Sequence, residues 1–302
     1  MMVESFLRYI RYEKNYSSRT AVSYKNDLLQ FEDYLKETTG EFDPVLVDKD
    51  QVRNWISYLS GEKLNVTSIK RKVSALRSFF EFLKREGKIE ESPLCFISSP
   101  KSRKKLPVFV KEEQMDALLD DVDFGSDFDG LRNKLIVEML YTTGMRRAEL
   151  VGLRDEDVDF FSSIIKVTGK GNKQRIIPFG DELKSLMNCY LDSRKSLFGG
   201  EAAAFFLKDD GLPIYPGLVY RVVRKYLSIV SSLGKRSPHV LRHTFATMML
   251  ENGAELSVVK ELLGHASLSS TEIYTHVSSK EIMMNYNLAH PRANKKGGIN
   301  GN

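Results

Sequence analysis

A tyrosine surrounded by histidines is the feature of this chain best suited to chemistry. The chain contains five histidines, and four of them stand near Tyr274 in the sequence: His239, His243, His265 and His276. Arg242 belongs to the same stretch. A phenolic hydroxyl has an ordinary pKa of about 10 and becomes a usable nucleophile when neighbouring cations stabilise its anion. The cluster therefore predicts a reaction centre for an anionic substrate.

Two further cationic residues stand in glycine-rich surroundings upstream of this cluster. Arg146 follows Gly144-Met145 and begins a short helix, and Lys170 stands between two glycines in a loop. Downstream, His239 and Arg242 are three residues apart and share one face of a helix. Each of these features alone is typical of a surface side chain or an ordinary hairpin. Only their combination indicates a function.

The combination fits the transfer of a DNA phosphodiester. Attack on phosphorus builds negative charge on the non-bridging oxygens, which two guanidiniums can bind in a fixed geometry. A histidine adds a hydrogen bond, and a lysine on a loop can donate the proton that the leaving 5′-oxygen needs. Arginines here do the electrostatic work that magnesium does elsewhere, so neither a metal nor another cofactor is expected. The acidic run at 112–129 lacks the spacing of a calcium-binding loop.

The order and spacing of these residues resemble the motifs of the tyrosine recombinases, the phage integrase family, and most closely those of the Xer-type recombinases. The resemblance covers nearly the whole chain. Its motifs in this sequence are Thr143-Gly144-Met145-Arg146-Arg147-Ala148-Glu149-Leu150, Gly169-Lys170-Gly171-Asn172-Lys173, His239-Val240-Leu241-Arg242, Leu262-Leu263-Gly264-His265 and Tyr274. The ending Ala289-His290-Pro291-Arg292-Ala293 also resembles that of Xer-type proteins.

The resemblance implies a catalytic set of six residues: Arg146, Lys170, His239, Arg242, His265 and Tyr274. Tyr274 would attack the scissile phosphate, form a 3′-phosphotyrosyl bond and release a 5′-hydroxyl. The two arginines and His265 would stabilise the transition state, and Lys170 would protonate the leaving oxygen. His239 would assist by positioning and proton transfer. Of two adjacent arginines, Arg146 rather than Arg147 is assigned to the phosphate.

The same resemblance implies a site-specific recombinase that acts on double-stranded DNA. A homo- or hetero-tetramer on two DNA sites would exchange strands in pairs, with or without a second recombinase or an accessory protein. Chromosome-dimer resolution, which serves chromosome partition at cell division, is the expected role. Integration or transposition of a mobile element and DNA inversion use the same chemistry. A type IB topoisomerase and a non-catalytic DNA-binding relative are the remaining alternatives.

The chain is expected to be mainly α with a small β-sheet, in two domains. Residues 1–97 are predicted to be helical, residues 98–108 to be a basic linker, residues 109–293 to be the second domain and residues 294–302 to be a disordered tail. The resemblance implies that the first is a SAM-like core-binding domain and the second is the tyrosine-recombinase catalytic domain. Together they would form a C-shaped clamp on duplex DNA.

Periodic apolar residues predict four helices before the linker. The clearest runs from about Thr67 to Glu86, and its apolar face contains Ile69, Val73, Leu76, Phe79, Phe80 and Leu83. Tyr12 is assigned to the apolar side of the first helix, together with Phe6 and Ile10. Ser17 and Ser18 are candidate caps of the second helix.

After the linker the predicted elements are mixed. Runs typical of strands at 164–167 and 174–178 form a hairpin with Lys170 near its tip. Ser257 is expected to cap a helix that precedes the second histidine motif. A last helix at 280–288 packs either on its own domain or on a neighbouring protomer.

The excess of basic over acidic residues is concentrated in one short segment. The formal net charge is +5, and most of that excess lies at 98–110. A polyanion would meet an asymmetric surface rather than this mean charge. Candidate contacts to DNA phosphates lie in the helix before the linker and in the linker itself: Lys70, Arg71, Lys72 and Arg77, then Lys101, Arg103, Lys104 and Lys105. The alternative for both groups is a solvated surface.

Composition places the chain among globular proteins. With 302 residues, of which 42% are apolar, the chain has enough apolar material for two separate cores. Cys95 and Cys189 stand far apart and are interpreted as free thiols in a reducing compartment. No run approaches the length of a membrane span, and residues 1–14 lack the apolar stretch of a signal peptide. We therefore expect a cytoplasmic protein.

Overall fold

The computed structural model describes residues 2–98, 108–169, 173–200, 204–264 and 278–293. The chain divides into two compact units, Met1–Lys105 and Leu106–Asn302, and each has its own hydrophobic core. Most of the predicted basic linker, with its four candidate DNA contacts, lies outside the described residues, and so does the predicted tail. Among the described helices, none is both long and apolar enough to cross a membrane.

Four helices make up the described part of the first unit: α1 (Met2–Tyr12), α2 (Ser18–Thr39), α3 (Lys49–Gly61) and α4 (Val66–Arg85). Each of the last three begins at a side chain that accepts a backbone N–H: Ser17, Asp48 and Asn65. The prediction that Ser17 caps the second helix is confirmed. Tyr12 was assigned wrongly, because its side chain is exposed at the end of α1 while Phe6 and Ile10 are buried.

Helix α4 is the centre of the first unit. It contacts all three other helices, and the six apolar residues predicted for its inner face are all buried. Trp55 of α3 packs edge-on against Phe31 of α2 beside this helix. A single strongly apolar face thus accounts for the arrangement of the unit.

The second unit contains eight further α-helices among its described residues: α5 (Glu112–Asp116), α6 (Phe128–Thr143), α7 (Arg147–Val151), α8 (Asp181–Phe198), α9 (Pro216–Val230), α10 (Pro238–Glu251), α11 (Leu256–Leu263) and α12 (Ser279–Ala289). A π-helical turn, Ala117–Asp121, follows α5. Helix α6 is buried on nearly all sides and contacts α8, α9 and α10. Its C-terminal half, from Leu135 to Thr143, is buried on every side, and other helices of the unit pack around it.

A three-stranded antiparallel sheet lies beside these helices, in the order β1 (Val158–Asp159), β2 (Ile164–Thr168) and β3 (Gln174–Pro178). The strands β2 and β3 were predicted and are confirmed, whereas the two-residue β1 was missed. Gly169 donates its N–H to the carbonyl of Lys173 at 2.8 Å and extends the ladder beyond Thr168. The hairpin tip at 170–172, with the predicted Lys170, lies outside the described residues.

Two helix starts show where local signals succeed and fail. Helix α10 begins with Pro238 at its first helical position, a common helix start, and Ser237 is its N-cap residue without a side-chain capping bond. The cap predicted for α11 is wrong, because the N-cap residue is Glu255 and Ser257 lies within the first turn. Its hydroxyl donates to the carboxylate of Glu255 at 3.1 Å instead of accepting a backbone N–H.

The last helix packs on its own unit. α12 contacts α10, α11 and β3, and its residues Ile282, Tyr286 and Ala289 are buried. The fold is mainly α with a small β-sheet, as predicted.

Candidate active site

Gly144 makes the turn that places the first arginine. It ends α6 with a left-handed φ of 59°, and its N–H donates to the carbonyl of Leu140. A Cβ at this position would lie 2.4 Å from the ring of Phe245. Only glycine satisfies both constraints. The chain then reverses through Met145, and Arg146 becomes the N-cap residue of α7.

Arg146 is held at three points. Its backbone N–H donates to Glu149 Oε2 at 2.7 Å, and its Nη1 donates to Glu149 Oε1 at 2.9 Å. Its Nη2 donates to the carbonyl oxygen of Gly264 at 2.8 Å. The side chain nevertheless keeps 35% of its surface exposed. The guanidinium is therefore fixed in direction and still open to a ligand.

Arg242 approaches the same place from α10. Its Nη1 donates to the carbonyl of Gly144 at 2.8 Å, and its Nη2 donates to the carbonyl of Leu263. Burial, together with the charges of Arg146 and Arg175, lowers the pKa of Arg242 to about 10. The residue remains protonated at neutral pH, in surroundings that already hold an excess of positive charge.

The C-terminal end of α11 gathers the arginines. Three successive carbonyls accept from three different guanidiniums: Leu262 from Arg175, Leu263 from Arg242 and Gly264 from Arg146. The last carbonyls of a helix have no partner within the helix and carry the negative end of its dipole. The three guanidiniums thus satisfy the free carbonyls of this helix end, and the carbonyls in turn orient the three cations.

Among the residues that the structure describes, Glu149 is the single carboxylate bonded to these arginines. It is buried and accepts Arg146 and, through both of its oxygens, Arg175, with Nη1 at 2.9 Å and Nη2 at 2.8 Å. Burial alone would raise the pKa of Glu149. The hydrogen bonds from Arg175 and Arg146 outweigh that effect and hold the pKa below its usual value. Glu149 is therefore ionised and fixes both arginines.

His239 lies at the surface one turn before Arg242 on α10. Partial desolvation lowers the pKa of His239 below its usual value, and the charges of Arg147, His243 and Arg242 act in the same direction. The imidazole is therefore neutral at pH 7, with one nitrogen able to donate and the other able to accept a hydrogen bond.

Lys170, His265 and Tyr274 lie outside the described residues, but two of their sequence neighbours are described. Gly169 precedes Lys170, and a Cβ built on it would lie 3.6 Å from Arg146 Nη1. Gly264 precedes His265 and accepts from the same Arg146. Gly169 and Gly264, which precede Lys170 and His265 in the sequence, therefore both lie close to the guanidinium of Arg146.

The basic residues predicted on α4 have diverse surroundings. The prediction that Lys72 contacts DNA is wrong. Its side chain is only 5% exposed and donates to Asp27 at 3.0 Å and to Gln30. The reason is the buried carboxylate of Asp27, which needs cationic partners. Arg71 pairs with the same Asp27 but keeps 44% of its side chain exposed. The half-buried Arg77 donates to the carbonyl of Ile97 at 2.8 Å, and the side chain of Lys70 is likewise half-buried.

Sequence reasoning missed Glu149 and Arg175 as members of the site. Glu149 stands three residues after Arg146, the spacing of a capping box, which was a usable signal. Arg175 occupies an inward position of β3, two residues before the buried Ile177. A charged residue on the inner side of a strand requires a partner. Among the described residues, no group of three or more histidine, cysteine or acidic side chains is placed to hold a metal ion.

Comparison with known proteins shows the family of this chain. The model of the phage integrase family matches residues 108–281, and that of the phage integrase N-terminal SAM-like domain matches residues 3–87. A tyrosine recombinase XerC of Chlorobaculum tepidum is 37% identical, covering 95% of this chain and 94% of its own. One of Listeria welshimeri is 39% identical, covering 96% and 97%.

A solved structure shares the fold. The crystal structure of XerH site-specific recombinase bound to palindromic difH substrate, a post-cleavage complex, matches with a TM-score of 0.72 at 23% identity. The match covers 95% of this chain and 84% of that one. The chain therefore belongs to the phage integrase family, as a tyrosine recombinase similar to those of the Xer type.

Proposed function

We propose that the chain is a site-specific DNA recombinase that cuts and rejoins double-stranded DNA through a 3′-phosphotyrosyl intermediate. The observation that carries this proposal is the convergence of Arg146 and Arg242 on the carbonyls of Gly264 and Leu263, directly before His265. Two rigidly held guanidiniums, both of them partly exposed, are the arrangement that a scissile phosphate requires.

The two arginines bind the non-bridging oxygens of the phosphate. A guanidinium has five N–H donors, and two nitrogens of Arg146 donate to protein acceptors among the described residues. Because Arg242 is desolvated beside another cation, a bound phosphate favours its charged form. The same attraction grows in the transition state, where charge accumulates on the phosphate oxygens. Arg147 does not share the contacts of Arg146 to Glu149 and Gly264, and its Nη1 donates to the carbonyl of Pro216 at 3.4 Å.

Lys170, His265, His239 and Tyr274 complete the reaction in this proposal. The phenolic oxygen of Tyr274 attacks phosphorus and gives up its proton to neutral His239, the bond to the 5′-oxygen breaks, and Lys170 donates a proton to the departing oxygen. His265 adds a hydrogen bond to the phosphate, and neutral His239 positions the phosphate and relays protons. The 5′-hydroxyl of a partner duplex then attacks the phosphotyrosine and restores a phosphodiester. The covalent bond conserves the energy of the link, so the cycle consumes no nucleotide.

The first unit serves as the core-binding domain. We place the domains at 1–97 and 109–293, with a basic linker at 98–108 and a tail at 294–302. The match to the N-terminal SAM-like domain model supports the role of the first domain. Arg71, Arg77 and Lys70 on α4 and the basic residues of the linker are the proposed contacts to DNA phosphates. Lys72 is left out because it is buried.

Assembly and biological role follow from the relatives. Four protomers on two DNA sites exchange strands in pairs, and the relatives named XerC favour chromosome-dimer resolution in the cytoplasm, where the chromosome lies. The XerH neighbour is bound to its difH substrate, and a short site of comparable kind is the expected substrate of this chain.

Recombination is tested on plasmids that carry the chain's own site. Footprinting on genomic DNA locates that site, and supercoiled plasmids are then built with two copies, one copy or none. We expect recombinant products only from the two-site plasmid, because exchange requires two bound sites. Relaxation of all three plasmids without exchange would identify a type IB topoisomerase. Specific binding without any strand cleavage would identify a non-catalytic relative.

A further inference from the structure

Arg175 makes three strong contacts and none of them is to a surface group. Its Nη1 and Nη2 bind both oxygens of Glu149, and its Nε donates to the carbonyl of Leu262 at 2.6 Å. The side chain is 5% exposed. A phosphate on the open side of Arg146 therefore does not reach Arg175, which acts on the site only through other residues.

Arg175 joins three segments that each lead to a proposed catalytic residue. It lies on β3, paired with Val167 of β2, in the stem of the hairpin that carries Lys170. Through Glu149 it reaches Arg146, and through Leu262 it reaches the end of α11 that precedes His265. Gly264 lies against the guanidinium so closely that a Cβ there would be 3.1 Å from Arg175 Cδ and 3.2 Å from Nη1.

The geometry of the Arg175–Glu149 pair indicates that Arg175 orients the carboxylate rather than only balancing its charge. If Arg175 served only to neutralise Glu149, Arg146 would suffice, since it already bonds to the same carboxylate at 2.9 Å. The fork of Arg175 instead locks both carboxylate oxygens in one plane. In that position Oε2 also accepts the backbone N–H of Arg146 and Oε1 accepts its Nη1.

We propose that Arg175 is a positioning residue for strand cleavage, which holds Glu149, and through it Arg146, in register with the Lys170 hairpin and the end of α11. The inference rests on the proposed function, because it assigns Arg146 to the scissile phosphate. Arg175 contributes to the rate of cleavage and not to the affinity for DNA.

Cleavage is measured on nicked duplexes that carry the footprinted site and release the short strand after attack, so that the covalent adduct accumulates. One duplex has a normal scissile phosphate, and the other has a methylphosphonate, whose missing charge lessens the need for Arg146. We expect Arg175→Met to bind DNA normally and to cleave the phosphate about 10–100-fold more slowly. The defect should shrink on the methylphosphonate, as it should for Arg146→Ala, and adding Arg175→Met to Arg146→Ala should slow cleavage no further.

Two further variants separate positioning from folding. Arg175→Lys keeps the charge but cannot bind both carboxylate oxygens and Leu262 together, so it should remain slow. The double variant Arg175→Met, Glu149→Leu removes both buried charges and should melt near the wild-type temperature while still cleaving slowly. A wild-type rate of cleavage by Arg175→Lys or by the double variant would overturn the inference alone. An equal defect of Arg175→Met on both duplexes would do the same. A wild-type protein that forms no adduct would overturn the proposed function and the inference with it.

Discussion

Excess positive charge defines the site at the scale of single residues. Three guanidiniums, those of Arg146, Arg175 and Arg242, meet near one carboxylate, that of Glu149. Backbone carbonyls orient these cations without neutralising them. The balance is therefore left to an anionic ligand, which is the property that a phosphate site requires.

The two adjacent arginines provide a matched pair of variants. We expect Arg146→Ala to slow cleavage by about 10²–10³-fold, because a donor aimed at the developing charge is lost. Arg147→Ala should have a smaller effect, since its guanidinium is directed to the carbonyl of Pro216. Single-turnover cleavage of the nicked duplex at saturating protein measures both. A larger loss in Arg147→Ala would mean that the wrong arginine has been assigned to the phosphate.

The roles of single residues were predictable where the residue belongs to a known motif. They were not predictable where the role depends on a partner remote in the sequence. Arg146, His239 and Arg242 stand in recognisable motifs, and their described surroundings are compatible with the proposed roles. Arg175 gives no such signal, because its importance arises from Glu149 and Leu262, which the fold brings to it. The sequence likewise did not show that Lys72 is buried against Asp27.

At the scale of elements, the end of α11 and the turn at Gly144 build the site together. The helix end supplies carbonyls at 262–264, and the turn delivers Arg146 and a further carbonyl for Arg242. Both glycines at these ends, Gly144 and Gly264, have left-handed φ values of 59° and 61°; Gly144 lies against the ring of Phe245, and Gly264 lies against Arg175. The site is therefore sensitive to the packing of these two glycines.

Gly144→Ala tests this packing. The new Cβ would lie 2.4 Å from the ring of Phe245 in a backbone conformation that alanine disfavours. We expect a loss of about 3 kcal/mol in the free energy of unfolding, from strain and overpacking together. Gly253→Ala is the control, because Gly253 has a φ of 85° and nothing within 4 Å of its Cβ position. It should lose about 1–2 kcal/mol, and denaturant unfolding that gave equal losses would contradict the role of Phe245.

Elements with a clear period were predictable, and short or fully buried ones were not. Helix α4 was correct because all six predicted residues share one face, and the β2–β3 hairpin was correct because its strands flank a glycine-rich turn. The strand β1 has two residues and offers no pattern. The start of α11 was misplaced because Glu255 takes the N-cap position that Ser257 was expected to fill.

At the scale of the whole catalytic unit, the C-terminal segment closes the core. Arg292 is fully buried and bonds to Asp116, Asp120 and Glu182. Nearby, Glu138 is buried with its Oε1 unpaired among the described residues. Burial raises the pKa of Glu138 to about 7, although the charge of Arg292 opposes the shift. The sequence showed the resemblance of this ending to Xer-type proteins but not the buried charges beneath it.

The raised pKa of Glu138 predicts how stability varies with pH. The folded state keeps its proton to about pH 7, while the unfolded chain loses it near 4.5. This contribution to stability is therefore complete below 4.5 and is lost as the pH rises through about 7. Relative to Glu138→Gln, wild type should lose on the order of 3 kcal/mol between pH 4.5 and 8. Thermal melting of both proteins across this range measures the difference, and a constant difference between them would contradict the prediction.

The central claim is that Tyr274 carries the DNA during strand exchange. The most direct measurement incubates the full chain with the nicked duplex, then separates covalent adducts under denaturing conditions and maps the modified peptide by mass spectrometry. We expect wild type to form an adduct at Tyr274 through a 3′-phosphate, and Tyr274→Phe to bind the same duplex and form none. An adduct that persists in Tyr274→Phe, or one mapped to another residue of wild type, would contradict the account.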